Sequence, residues 1–141
     1  MSALVFIDQL TEQLVLAFPT YQVSAREPPE TNLKPGTQWV ATDSIEQGVD
    51  IADLGESVGI VVPVFITTVM SVPATPLETR ATLARRLSVI QAAQRACRSF
   101  IPENDALVTY VCESAVIGGD LYVSTVQINI QYSLQAEGDP Q

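Results

Sequence analysis

The chain carries YVSTVQINIQYS at residues 122–133, and the reading of this stretch decides the fold. Tyr122, Val126, Ile128, Ile130 and Tyr132 fall on one side of an alternation that only Ser124 interrupts. Val123, Thr125, Gln127, Asn129, Gln131 and Ser133 fall on the other. A period of two is the mark of a strand with one face in a core. The pattern turns Gln127, Asn129 and Gln131 toward water or a partner. A one-residue slip would bury three amides and expose three β-branched residues, so the register is strongly specified.

Working back from this strand, residues 114–120 (SAVIGGD) read as a turn, with Gly118 and Gly119 offering the positive φ angles a hairpin needs. Residues 106–113 (ALVTYVCE) form the partner strand. Further upstream, TPLE at 75–78 places Thr75 as N-cap, Pro76 at the first helical position and Glu78 three residues on, a capping box. The helix is predicted over 76–100, stopped by Pro102, with Leu83, Leu87, Ile90, Cys97 and Ile101 as its core stripe. Residues 58–70 (VGIVVPVFITTVM) are a long strand with apolar residues on both faces, so both are expected to be covered. Pro63 lacks a ladder donor there, which calls for an edge position or a bulge.

In the first half of the chain, Ile7, Leu10, Leu14 and Phe18 follow helical spacing over 3–18, with Phe6 and Ala17 beside them. Pro19 ends that helix. Short strands are predicted at 21–25 and 38–42, the second carrying Trp39 as either a core residue or an interface anchor. Between them, residues 26–37 hold three prolines and a glycine and read as a loop. Residues 43–57 are an acidic irregular segment. Its acids lack the alternating spacing of a calcium loop, which leaves a solvated loop as the better reading. The order is α-β-β-β-α-β-β: an α+β domain with a mixed, mainly antiparallel sheet and two helices on one face. A single domain is expected over 1–141, with a frayed polar tail at 135–141.

Composition narrows the function. The 141 residues are 47% hydrophobic and 16% charged, with a mean hydropathy of +0.22. That fits either a generous core or apolar surface covered by other subunits. The formal charge of −9 argues against binding phosphate backbones, whose affinity comes from Lys and Arg clusters. The chain contains no histidine, so the usual catalytic triads and most zinc sites are excluded. Cys97 and Cys112 lack an activating histidine and read as buried free thiols, the first in a helix and the second in a strand. No phosphate-binding glycine loop occurs. The N-terminal apolar run lacks a basic leader and is broken by Asp8 and Glu12, so it does not read as a signal peptide. No stretch approaches the ~20 apolar residues of a membrane span. The expectation is a protein that is cytosolic when made and is not an enzyme, with no catalytic residues, metal or cofactor.

Five of the seven basic residues lie on the second helix: Arg80, Arg85, Arg86, Arg95 and Arg98. Arg80, Arg95 and Arg98 project within roughly 60° of one another at 3.6 residues per turn. They are either solvated side chains near a helix C-terminus or partners for acids of a neighbouring subunit.

The segments SALVFIDQLTEQLVLAFP (2–19), TPLETRATLARRLSVIQAAQRACRSF (75–100) and DLYVSTVQINIQYS (120–133) carry a resemblance. In element order, size and acidic character the chain resembles the tail terminator, or tail completion, proteins of long-tailed bacteriophages. Residues 26–57 carry none of it. The resemblance implies a structural virion protein. Such proteins form a homo-oligomeric ring, usually of six copies, that caps the tail tube and meets head–neck connector proteins. DNA passes through the lumen without specific binding, and no membrane is involved. It implies assembly in the host cytoplasm and residence in the tail or neck of the virion. Candidate subunit-interface residues are then Arg80, Arg95, Arg98, Gln127, Asn129 and Gln131. The alternatives are another connector or tail-tube subunit, or a non-viral α+β binding module.

Overall fold

The computed structural model describes residues 3–24, 33–42, 50–53, 58–100 and 106–134, the side chains at 3–4, 50–53, 58, 98–100 and 133–134 excepted. Helix α1 (Ala3–Ala17) leads into strands β1 (Gln22–Ser24), β2 (Gln38–Ala41), β3 (Asp50–Asp53) and β4 (Val58–Ser71). Helix α2 (Pro76–Phe100) follows, then the hairpin β5 (Ala106–Gly118) and β6 (Leu121–Leu134). The sheet runs β1-β2-β4-β6-β5, with β3 added beside β4. Among the described residues, only β1 and β2 pair in parallel. The fold is α+β with a mixed, mostly antiparallel sheet, as the alternating strands and the two periodic helices predict.

The alternation in β6 sorts as read. Val126, Ile128, Ile130 and Tyr132 are buried and join Val62, Val64 and Ile66 of β4 in one core with Phe6, Leu10, Leu14 and Phe18 of α1. Phe6 stacks on Tyr132 at 4.2 Å between ring centroids. Full burial of one such aliphatic or aromatic side chain stabilises by ~1.5–3 kcal/mol, which is why the face assignment decides the register. The second face of β4 is covered too: Phe65 and Val69 are buried there, beside Ala41 of β2.

Several expectations need correction. β5 does not end at Glu113. It continues through Ser114–Gly118, because these residues pair with Thr125–Leu121 of β6. The turn is thus only Gly119–Asp120, and of the two glycines only Gly119 has positive φ, at 62°. The acidic segment is not wholly irregular, since Asp50–Asp53 pairs antiparallel with Val58–Val61. Pro63 causes no bulge against β6. It lies between the stretch of β4 paired to β3 and the stretch paired to β2, where the missing N–H costs no ladder bond on that side among the described residues. The expected frayed tail (135–141), Ile101, Pro102 and most of the loop at 26–37 lie outside the described residues.

The capping of α2 also differs by one residue. Thr75 Oγ1 accepts from the Glu78 N–H at 3.2 Å, but the Glu78 carboxylate reaches back to the N–H of Ala74, at 2.8 Å. The core stripe of α2 is Val89, Ala93, Ala96 and Cys97, with Ile90 partly covered. Leu83 and Leu87, expected in that stripe, are 46% and 49% exposed. Small residues face the sheet and let the helix lie close to it, which leaves the large leucines on its flank.

Candidate subunit interface

The helix α2 carries the positive charge of this acidic chain, and the structure divides its arginines among three surroundings. Arg86 is held within the subunit. Its Nε donates to Glu113 Oε2 at 2.6 Å, its Nη2 to Glu113 Oε1 at 2.7 Å and its Nη1 to the Tyr122 hydroxyl at 2.8 Å. Ser124 donates its hydroxyl to the same carboxylate at 3.0 Å. Glu113 faces the helices because it stands opposite Val126 in the hairpin register. Hydrogen bonding to Arg86 holds its carboxyl below the usual carboxylate range, and the same bond raises the guanidinium pKa further. A bidentate pair of this kind fixes orientation as well as charge. It anchors the first half of α2 onto the hairpin.

Arg85 and Arg95 border the furrow between the helices. A cleft of about 360 Å³ is lined there by Gln13, Leu16, Ala17, Ala92, Arg95 and Ala96. A smaller one, of about 150 Å³, shares Ala17 and Ala92 and is bordered by Arg85. Arg80 is exposed on the outer flank of α2. The side chain of Arg98 lies outside the described residues. Arg80 and Arg95 are both exposed on α2, and Arg86, which is not among the candidate interface residues, joins a cluster with Glu113, Tyr122 and Ser124.

Gln127, Asn129 and Gln131 share the sheet face away from the helices and are half-buried. Gln127 donates to the Asn129 side chain at 3.1 Å. Their row lies between Phe65, Pro63 and Val61 of β4 and Cys112, Tyr110 and Leu107 of β5.

Five of the eleven exposed large hydrophobic side chains among the described residues lie on β5. This strand ends the sheet path, so one of its edges has no partner strand among the described residues. Leu107, Tyr110 and Val116 are exposed on one face, and Val111 and Ile117 on the other. Val116 and Ile117 reach 63% and 61% exposure. Sheet edges exposed to water are ordinarily blunted by lysine, proline, shortening, a bulge or an inward-pointing charge. β5 has thirteen residues, no lysine and no proline, and its single charge, Glu113, is held inward by Arg86. Its one irregularity is a bulge at Thr109, whose hydroxyl donates to the Asn129 carbonyl at 3.3 Å. The bulge and the inward charge are the edge devices this strand has; lysine and proline are absent from it.

The remaining chemistry is sparse. Cys97 is buried as expected, but Cys112, expected to be buried too, is exposed; both are free thiols. Burial pushes the Cys97 thiol up to about 11. Among the described residues, no three His, Cys, Asp or Glu side chains come together as a metal site. No described helix is long and apolar enough to cross a membrane. No protein-family model matches this chain, and no curated protein matches it either.

Proposed function

We propose that this chain is a structural ring subunit of a bacteriophage tail, a tail terminator that closes the tail tube and joins it to the neck. The carrying observation is the edge strand β5, thirteen residues long, with five exposed large apolar side chains, no lysine or proline, and no strand on its outer edge among the described residues. Exposed apolar side chains stand on both faces of this strand, Leu107, Tyr110 and Val116 on one and Val111 and Ile117 on the other. The element order and the acidic character support the same reading through the resemblance to tail terminators. So does the chemistry. A chain of formal charge −9 lining a channel repels DNA and lets it pass without sticking. In this reading the subunit has no catalytic role. Its partners are other copies of itself, the tube protein and the connector proteins.

The test is genetic and structural. Virus particles from the genome that encodes the chain are imaged by electron microscopy with the chain tagged. The tag is expected in a ring at the head-proximal end of the tail. Deleting the gene is expected to give tails that do not join heads. Complete particles assembled without the chain would overturn the proposal.

A further inference from the structure

The two helices each present an outward flank, and the flanks differ in kind. Ala17 of α1 and Ala92 of α2 line the furrow where the helices face each other. At ~100° per residue, Asp8, Glu12 and Val15 project ~140–180° away from Ala17. Leu83 and Leu87 project ~140–180° away from Ala92 by the same count. All five are exposed. One end of the two-helix layer is therefore an acidic flank with an apolar residue beside it. The other is an apolar flank with exposed Arg80 beside it.

The second flank continues into the sheet. Arg86 ties α2 to Glu113 and Tyr122, so the flank holding Leu83 and Leu87 stands over the β5 side of the sheet. There Val111 and Ile117 of β5 are exposed on the same, helix-bearing face. Leucines from the helix and β-branched residues from the strand thus border one open apolar corner. α1 lies toward the other side, where Tyr21, just after it, bonds Thr68 of β4 through its hydroxyl at 2.8 Å.

We infer that the acidic outer flank of α1 in one subunit docks into the corner formed by α2 and β5 of the next. The occupant is a second copy of this chain, and charge complementarity selects it. Two chains of net charge −9 repel each other in most orientations. α1 carries Asp8 and Glu12 and no base, whereas the corner carries Arg80, exposed beside Leu83 and Leu87; Arg85 and Arg95 border the furrow on the other flank, and Arg86 is held by Glu113. A head-to-tail contact brings these opposite signs together, and a two-fold contact between like flanks does not. Contacts of the head-to-tail kind are heterologous and close into rings when the rotation permits. This inference rests on the ring reading and specifies which surfaces make the ring.

The experiment uses two broken copies of the full chain. One carries Asp8→Lys with Glu12→Lys, the other Leu83→Gln with Leu87→Gln, so that the two altered surfaces do not attract each other. All four positions are exposed, so both variants are expected to melt within a few degrees of wild type. If the glutamines at 83 and 87 prevent folding, Leu83→Ala with Leu87→Ala replaces them. Sedimentation at the highest attainable concentration reads the mass. Wild type is expected to assemble well beyond the 15.2 kDa subunit. Each variant alone is expected to stay monomeric. Their mixture retains one intact contact and is expected to give a one-to-one dimer.

Either variant assembling alone as wild type does would overturn the inference. So would a mixture that fails to pair while wild type assembles. A wild type that remains monomeric overturns this contact, while the ring reading is judged separately by imaging tagged particles.

Discussion

Arg86 and Glu113 form a two-point ion pair that spans helix and sheet, with nitrogen–oxygen distances of 2.6 and 2.7 Å. The side chains are 26% and 13% exposed. Glu113→Ala leaves the guanidinium without its carboxylate and the Ser124 hydroxyl without its acceptor. Hydrogen bonds to charged groups contribute ~1.5–3 kcal/mol, and a loss of that order is expected in chemical denaturation. Arg86→Lys keeps the charge but cannot bridge both oxygens, and is expected to lose part of it. A Glu113→Ala variant as stable as wild type would show that the pair does not anchor α2.

The same pair sets a pH dependence. The Glu113 carboxyl is depressed in the folded chain, chiefly by its hydrogen bond to Arg86. Its stabilising contribution is therefore complete above the unfolded value of ~4.3 and fades as the pH falls through the lower folded value. The stability difference between wild type and Glu113→Gln is expected to be largest at neutral pH. It is expected to close as the pH drops below ~4. Parallel denaturation curves from pH 7 to pH 3 measure it. A constant difference across that range would contradict the assignment.

This cluster also shows where sequence reading stops. Periodicity placed the helices and the final strand, because a strand of period two and a helix of period 3.6 announce themselves locally. The TPLE cap placed the start of α2 for the same reason. Arg86 and Glu113 stand 27 positions apart and meet only once α2 lies on the hairpin. One signal was present: Glu113 falls on the inward face of an otherwise apolar strand, and an inward acid requires a cation. Leu83 and Leu87 misled for a different reason. Their meridian on the helix adjoins that of Ile90 and Cys97, which do meet the core, and hydrophobicity alone does not say how far the covered stripe extends. The strand at Asp50–Asp53 escaped because its two aspartates are poor strand formers.

The two thiols are expected to behave differently. Cys112 is exposed and Cys97 is buried. A thiol reagent at pH 8 is expected to label one cysteine rapidly and the second only on unfolding. Substituting Cys112→Ser identifies which one is fast. Burial also raises the Cys97 thiol to about 11 in the folded chain. Between the unfolded value of ~8.5 and that value, the unfolded chain releases a proton that the folded chain keeps, so stability falls as the pH rises. Over that window wild type is expected to lose stability relative to Cys97→Ala. Equal pH slopes for the two would show that Cys97 is not buried as described.

The strand that decides the fold supplies the last test. Ile128 is 1% exposed and faces the helices, whereas its neighbour Gln127 is half-buried on the opposite face. Ile128→Asp places a carboxylate among Val64, Ile66 and Val126. Large aliphatic core truncations alone cost ~2–5 kcal/mol. An unpaired buried charge adds to that, so this variant is expected to unfold the subunit. Gln127→Asp loses one hydrogen bond, the contact with Asn129, and is expected to cost only ~0.5–1.5 kcal/mol. Thermal melting of the two variants side by side measures the contrast. A one-residue slip of β6 against β4 would exchange the faces and reverse the order of the two melting points. Equal losses would mean that both faces of the strand are packed alike. The amide row would then be core rather than surface, and Gln127, Asn129 and Gln131 would drop out as candidates for contact with a neighbouring subunit.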